Sequence, residues 1–143
     1  MITIGRTVIL VNDLDAAKSF YGTAFGFGTL YDGEVAPGLR TVHVGPTGQR
    51  DAGLWLIKAV SPASEARVGA QTAGEPALVF YTDGISEVLD RLADLGVTPT
   101  IPSFTNEAGF TYAHVPDNSG NEIVLVQWPS ESGETPRGAY SRS

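Results

Sequence analysis

Cysteine is absent from the 143-residue chain. That excludes disulfides, thiolate nucleophiles and cysteine-based metal sites, and leaves a cytoplasmic location as the default expectation. No apolar run approaches the roughly 18 residues of a membrane-spanning helix. The first residues, MITIGRTVILVND, carry one Arg and no small-residue cleavage site, which argues against a signal peptide. Basic residues are scarce: 9 Lys and Arg stand against 16 Asp and Glu, for a net charge of −7. Phosphate-backbone binding needs the opposite sign and a basic cluster, so no nucleic-acid partner is expected. An acidic balance favours solubility and would attract a cationic ligand. There is no Gly-x-Ser-x-Gly elbow and no phosphate-cradling glycine loop, because the glycines fall at turns.

What remains is an ordinary globular composition, 42% hydrophobic and 17% charged. Residues 7–11 form a β-branched apolar run, hence a strand. Asn12 and Asp13 break it and can cap a helix at this point. Leu14, Ala17, Phe20, Tyr21 and Ala24 recur at helical steps, and Gly26 is the expected left-handed stop. Strands are then predicted over residues 28–32, 39–44 and 53–59, with a turn at 33–38 and a hairpin connection at 45–51. Residues 61–75 are polar and rich in small side chains, so they read as a linker. Beyond it come a strand at 77–81, a turn at Thr82, Asp83 and Gly84, and a helix through Ile85, Val88, Leu89, Leu92 and Leu95, ended by Gly96. Further strands lie at 97–101, 110–115 and 122–127, with a loop at 104–109 and a turn at 116–120. Asp13, Asp83 and Asp117 read as turn and cap residues.

Shifted by about 70 residues, the two halves superimpose as sequences. Asp13 falls on Asp83, Gly26 on Gly96, and GLWLI at 53–57 on EIVLV at 122–126. His43 falls on His114, and these are the only histidines. Each half is β-α-β-β-β. The fold class is α+β: two such modules, forming a curved, barrel-like mixed sheet around a cavity with helices outside. Neither half could bury both its helix and the back of its sheet alone. The division is residues 1–60, a linker at 61–75, a second module at 76–128 and a flexible tail at 129–143.

Three segments carry a resemblance: VNDLDAAKSFYGTAFGF at 11–27, TDGISEVLDRLADLGV at 82–97 and VPDNSGNEIVLVQ at 115–127. The chain resembles the vicinal oxygen chelate superfamily, which includes glyoxalase I, bleomycin-resistance proteins and extradiol dioxygenases. The likeness spans residues of about 2 to 128, and Asn118 and Ser119 replace the middle Pro-Asp of the family's Asp-Pro-Asp-Gly-Asn turn. It implies four metal-ligand positions on inner strands. Counted here, these are Arg6, seven residues before Asp13; Trp55, with Leu56 as the off-by-one choice; Ala77, or Pro76; and Val124, four after Gly120. None of Arg6, Trp55, Ala77 and Val124 can ligate a divalent ion in water. No metal and no other cofactor is therefore expected, and no catalytic residue is assigned.

Strand alternation, with the family's ligand positions facing the cavity, puts Arg6, Val8, Leu10, Gly53, Trp55, Ile57, Ala77, Val79, Tyr81, Glu122, Val124 and Val126 on the cavity face. The opposite set, Thr7, Ile9, Val11, Leu54, Leu56, Leu78, Phe80, Ile123 and Leu125, is more uniformly apolar, as a helix-covered face should be. The candidate ligand-binding residues are Arg6, Val8, His43, Trp55, Ile57, Tyr81, Phe104, Phe110, Tyr112, His114, Glu122 and Val124. Trp55 could stack on a planar or cationic ligand, or fill the space a metal would leave. Arg6 could hold a carboxylate or phosphate, and pairing with Glu122 is the favoured reading because an unpaired buried Arg is costly. His43 and His114 could transfer protons or bind a metal, but local hydrogen bonding is favoured. Tyr81, Phe104, Phe110 and Tyr112 serve equally as cavity walls or core.

The leading expectation is a metal-independent protein that binds or sequesters a small organic molecule, aromatic or cationic, as bleomycin-resistance proteins do. One alternative is a metal-dependent lyase, isomerase or dioxygenase with ligands relocated to Glu75, Glu122, His43 or His114. The other is a non-catalytic structural or interaction module with Trp55 filling the cavity. The resemblance also implies a homodimer, and leaves open whether a pocket forms within one chain or between two.

Overall fold

Asp13 ends the first strand and starts the first helix. Its backbone is extended (φ −149°, ψ 124°), and its carboxylate accepts a hydrogen bond from the Ala16 amide at 2.7 Å. That satisfies a donor the helix itself cannot. Helix α1, Leu14–Phe25, then buries Ala17, Phe20, Tyr21 and Ala24. Gly26 closes it at φ 74°, a conformation that disfavours any side chain with a Cβ.

The computed structural model describes residues 1–129 and divides the chain into two units. The first comprises Met1–Glu75 with Asp117–Asn121; the second comprises Pro76–Pro116 and the residues from Glu122. In the first, β1 (Arg6–Val11), β2 (Gly28–Ala36), β3 (Leu39–Gly45) and β4 (Gly53–Lys58) form a sheet in the order β1-β4-β3-β2. Strands β1 and β4 are parallel, and the remaining pairs are antiparallel. Helix α1 packs on β3 and β4. A short helix, α2 (Pro62–Glu65), comes next.

The second unit repeats the plan. Strands β5 (Leu78–Tyr81), β6 (Ile101–Thr105), β7 (Thr111–Pro116) and β8 (Glu122–Gln127) lie in the order β5-β8-β7-β6, with helix α3 (Ile85–Asp94) against β8. His43 pairs in register with Trp55, and His114 with Val124. The two histidines thus occupy equivalent places in equivalent sheets. The chain is α+β, with two four-stranded mixed sheets.

The face assignment obeys the alternation. Ile9, Val11, Leu54, Leu56, Leu78, Ile123 and Leu125 are all buried. Thr7 is exposed and Phe80 half-buried, so that face is less complete at its ends. On the opposite face Val8, Trp55, Val79 and Tyr81 are exposed, whereas Val126 is buried.

Four expectations need correction. Strand β2 continues to Ala36 rather than stopping at Asp32, because two bulges, between Thr29 and Tyr31 and between Glu34 and Ala36, carry the ladder past Gly33. Strand β6 is Ile101–Thr105, where a strand is expected over 97–101 and a loop from Phe104. It contains Pro102, tolerated because β6 is an edge strand. Asp83 does not cap α3: Gly84 holds that position without a side-chain bond, and the Gln127 amide oxygen accepts from the Ile85 amide at 2.8 Å. The linker is also not featureless. Ser61 and Ser64 form a reciprocal capping box on α2, and Gln71 spans the edge strand β1. Its amide oxygen accepts from the Leu10 amide at 2.7 Å while its nitrogen donates to the Val8 carbonyl at 3.0 Å. Residues 130–143, nearly all of the expected tail, lie outside the described residues.

Candidate functional site

The first sheet places four side chains in one row across its open face. Tyr31 on β2 pairs with His43 on β3, His43 with Trp55 on β4, and Trp55 with Val8 on β1. Ring centroids are 5.9 Å apart for Tyr31 and His43, and 5.4 Å for His43 and Trp55. Tyr31, Trp55 and Val8 are each exposed to between 37% and 39%, enough for a ligand to lie on them. Tyr31 was not anticipated. The β2–β3 register that sets it beside His43 depends on a bulge that no local pattern in residues 28–32 announces.

Arg6 stands two residues before Val8 on β1, in the neighbouring row. It pairs in register with Gly53, where a Cβ would stand 2.7 Å from the Val44 carbonyl oxygen, so position 53 cannot carry a side chain without displacement. With no side chain between them, Arg6 reaches His43 two strands away: Nε donates to His43 Nδ1 at 2.9 Å. The rest of the guanidinium holds the carbonyls of Gly5, Gln49 and Asp51 at 2.6 to 2.9 Å. Arg6 therefore ties down the β3–β4 connection, while Glu122, the partner expected for it, lies beside His114 in the second sheet. Because Arg6 donates to Nδ1, neutral His43 carries its proton on Nε2. That atom is buried and unpaired among the described residues. Burial, then the Arg6 charge, lowers the His43 pKa and keeps the ring neutral.

Beyond Val42 and Leu56 the paired register of β3 and β4 ends. A groove of about 340 Å³ opens there, lined by Leu14, Leu39, Trp55, Ile57 and Val60 among others, with Arg40 and Lys58 contributing charge. Arg40 is held by Asp15 at 2.8 Å and Asp32 at 2.9 Å, and Lys18 reaches Asp32 at 2.8 Å. Hydrogen bonds from Arg40, then Lys18, push the Asp32 carboxyl far below the ordinary carboxylate range. Trp55 thus joins the aromatic row to an apolar groove, the combination a small-molecule site needs.

The second sheet carries its own open face. Val79, Tyr81, Ile101 and Phe104 are exposed between 41% and 60%. Phe104 stacks on Tyr112 with centroids 5.4 Å apart and planes 26° from parallel. His114 Nδ1 lies 2.6 Å from Glu122 Oε2, both side chains half-buried, and Val124 stands in register beside the histidine. Phe110 is the exception: it is fully buried against Tyr112 and Trp128, and so belongs to the core and not to a binding wall. A shallow depression of about 580 Å³ is bounded by Tyr81, Asp83, Gln127 and Trp128. Of the twelve candidate residues, Arg6, Val8, His43, Trp55 and Ile57 gather on the first sheet; Tyr81, Phe104, Tyr112, His114, Glu122 and Val124 on the second.

The metal positions that the resemblance implies do not fit a metal. Arg6 is cationic and spends its donors on carbonyls and His43. Trp55, Ala77 and Val124 offer no lone pair to an ion. Among the described residues no three His, Asp or Glu side chains converge as a metal site.

Comparison with known proteins yields a family and a set of folds. Residues 3–125 match the family model described as Glyoxalase/Bleomycin resistance protein/Dioxygenase superfamily. TnmS3, an antibiotic binding protein from Streptomyces sp. CB03234, is 28% identical, with a TM-score of 0.67 over 91% of this chain and 98% of that one. UcmS2 superimposes with a TM-score of 0.73 at 23% identity over 88% and 98% of the two chains. A glyoxalase family protein from Bacillus cereus gives 0.72 at 17% over 91% and 96%, and these last two likenesses are of fold alone. No curated protein matches. With the match covering most of its length, the chain belongs to the glyoxalase/bleomycin resistance protein/dioxygenase superfamily.

Proposed function

We propose that this protein binds a small aromatic molecule without a metal, and that Trp55 is the principal contact. The observation that carries this reading is the position of Trp55. It stands 37% exposed on the face opposite the helix, in the apolar groove, where a metal enzyme of the family would hold a ligand. Stacking and apolar burial then supply affinity with no catalytic group. The likeness to TnmS3, itself an antibiotic binding protein, supports the same reading. A cytoplasmic homodimer is part of the proposal. No helix among the described residues is long and apolar enough to cross a membrane, and the family resemblance implies a homodimer. A solution mass of one chain would remove the dimer.

The test is a fluorescence titration with planar aromatic natural products and cationic glycopeptides. Trp55→Phe should retain most of the binding, while Trp55→Ala should weaken it about thirtyfold, close to 2 kcal/mol, as for a buried aromatic anchor. Elemental analysis of protein purified without chelator should show no stoichiometric Ni, Zn, Fe or Mn. A stoichiometric metal, or a panel with no binder at all, would overturn the reading.

A further inference from the structure

The two equivalent histidines are held in opposite states. His43 receives a hydrogen bond on Nδ1 from the Arg6 cation, so its own proton sits on Nε2, enclosed and unable to reach a ligand. His114 meets a carboxylate instead. A carboxylate accepts, so His114 Nδ1–H donates to Glu122 at 2.6 Å, and Nε2 of the neutral ring keeps its lone pair. The His114 side chain is 21% exposed, and its Nε2 has no hydrogen-bond partner among the described residues. The swap originates in the sequence. Position 53 is Gly in the first half, and the equivalent position in the second is Glu122.

The surroundings of His114 are apolar. Ile101 and Val124 flank it in register, and Val79 stands beyond Val124. Ile101 and Val79 are 41% and 58% exposed. The stacked Phe104–Tyr112 pair lies further along β6 and β7. The face is therefore a hydrophobic plate around one basic nitrogen whose orientation a carboxylate fixes. A neutral donor on a flat apolar body matches it. An aliphatic alcohol would lack both the flat body and an acidic proton, whereas a phenol brings both.

We propose that the open face of the second sheet binds an aromatic hydroxyl compound, with His114 Nε2 accepting the hydroxyl proton and Glu122 fixing the imidazole. Where the bound phenol is the stronger acid, its proton passes to Nε2. The O–H bond breaks and its electron pair stays on oxygen, an N–H bond forms at Nε2, and phenolate faces an imidazolium that still donates to Glu122. No oxidant or co-reactant is needed. This deepens the small-molecule reading and rests on it.

The experiment compares 4-nitrophenol with 4-nitroanisole, its methyl ether, on the full chain, buffered below the phenol's own titration midpoint. A saturable rise in the phenolate absorbance is expected, with the midpoint of the bound phenol lowered by about one pH unit, a tenfold preference for phenolate. The ether should bind at least tenfold more weakly. His114→Gln should abolish the absorbance change. Glu122→Gln, which keeps the side-chain shape, should reduce it about tenfold and carries the test if His114→Gln does not fold. Equal binding of the ether, or an unchanged phenolate signal in both variants, would overturn the proposal. If nitrophenol gives no signal while neutral aromatics still quench Trp55, this inference fails and the small-molecule reading stands. If Trp55 is not quenched either, both fail.

Discussion

His43 shows how much one neighbour decides. Its ring is flanked by Tyr31 and Trp55, and its Nδ1 is taken by a permanent cation. Burial and that charge both disfavour protonation, so the folded pKa lies below the unfolded value of about 6.5. Between those two values the unfolded chain binds more protons than the folded one. Stability therefore rises with pH across this window; the contribution is complete above about 6.5 and is lost as pH falls through the folded value. Thermal melts between about pH 8 and 5 should show the wild type losing stability on acidification, and His43→Gln losing less over the same interval. An equal slope in both would remove His43 as the cause. Asp15 and Asp32, held low by Arg40, lose their contribution only in more acid solution, below the ordinary carboxylate range, so they do not blur the comparison.

At the scale of elements, legibility tracked locality. Helix α1 could be read because cap, apolar spacing and glycine stop all lie within 14 residues of sequence, Asp13 to Gly26. The face assignment was legible for the same reason, since strand alternation needs only the strand itself. Tyr31 was not legible, because its place beside His43 is set by a bulge and a cross-strand register. Nor was the exchange of partners that gave Arg6 to His43 and Glu122 to His114, because side-chain reach across strands has no period in the sequence. The segment after α2 illustrates the same limit. As a sequence it is a linker, yet Gln71 covers the edge of β1 by offering its side-chain amide where a further strand would offer a peptide group. Gln71→Ala should leave the Leu10 amide without an acceptor, cost about 1 kcal/mol in denaturant melts, and speed hydrogen exchange at Leu10. Unchanged exchange there would mean that the edge is protected by something other than Gln71.

Across the whole molecule, the division into units does not match the repeat. The turn Asp117–Asn121 joins β7 to β8, yet it belongs to the first unit. Its centre is Asp117, 4% exposed, whose carboxylate accepts from the amides of Ser119 and Asn121, the Asn121 side chain, and the Tyr21 hydroxyl at 2.6 Å. Asn121 also donates to the Leu10 carbonyl, and the Asn12 amide donates to Ser119 Oγ. Burial first, then the Asp117 charge and its hydrogen bond, drive the Tyr21 pKa well above its ordinary value, so the hydroxyl stays a donor. Tyr21→Phe removes one donor from a buried charge while keeping the ring. It should cost about 2 kcal/mol, the scale of a hydrogen bond to a charged group. Trp55 reports on the first unit and Trp128 on the second. Because the affected turn is continuous with the strands of the second unit, single-tryptophan variants, Trp128→Phe and Trp55→Phe, should report the same loss in midpoint when Tyr21→Phe is added. A midpoint that moves only at Trp55 would show that the turn can loosen without the second sheet, and that the two halves unfold as separate bodies.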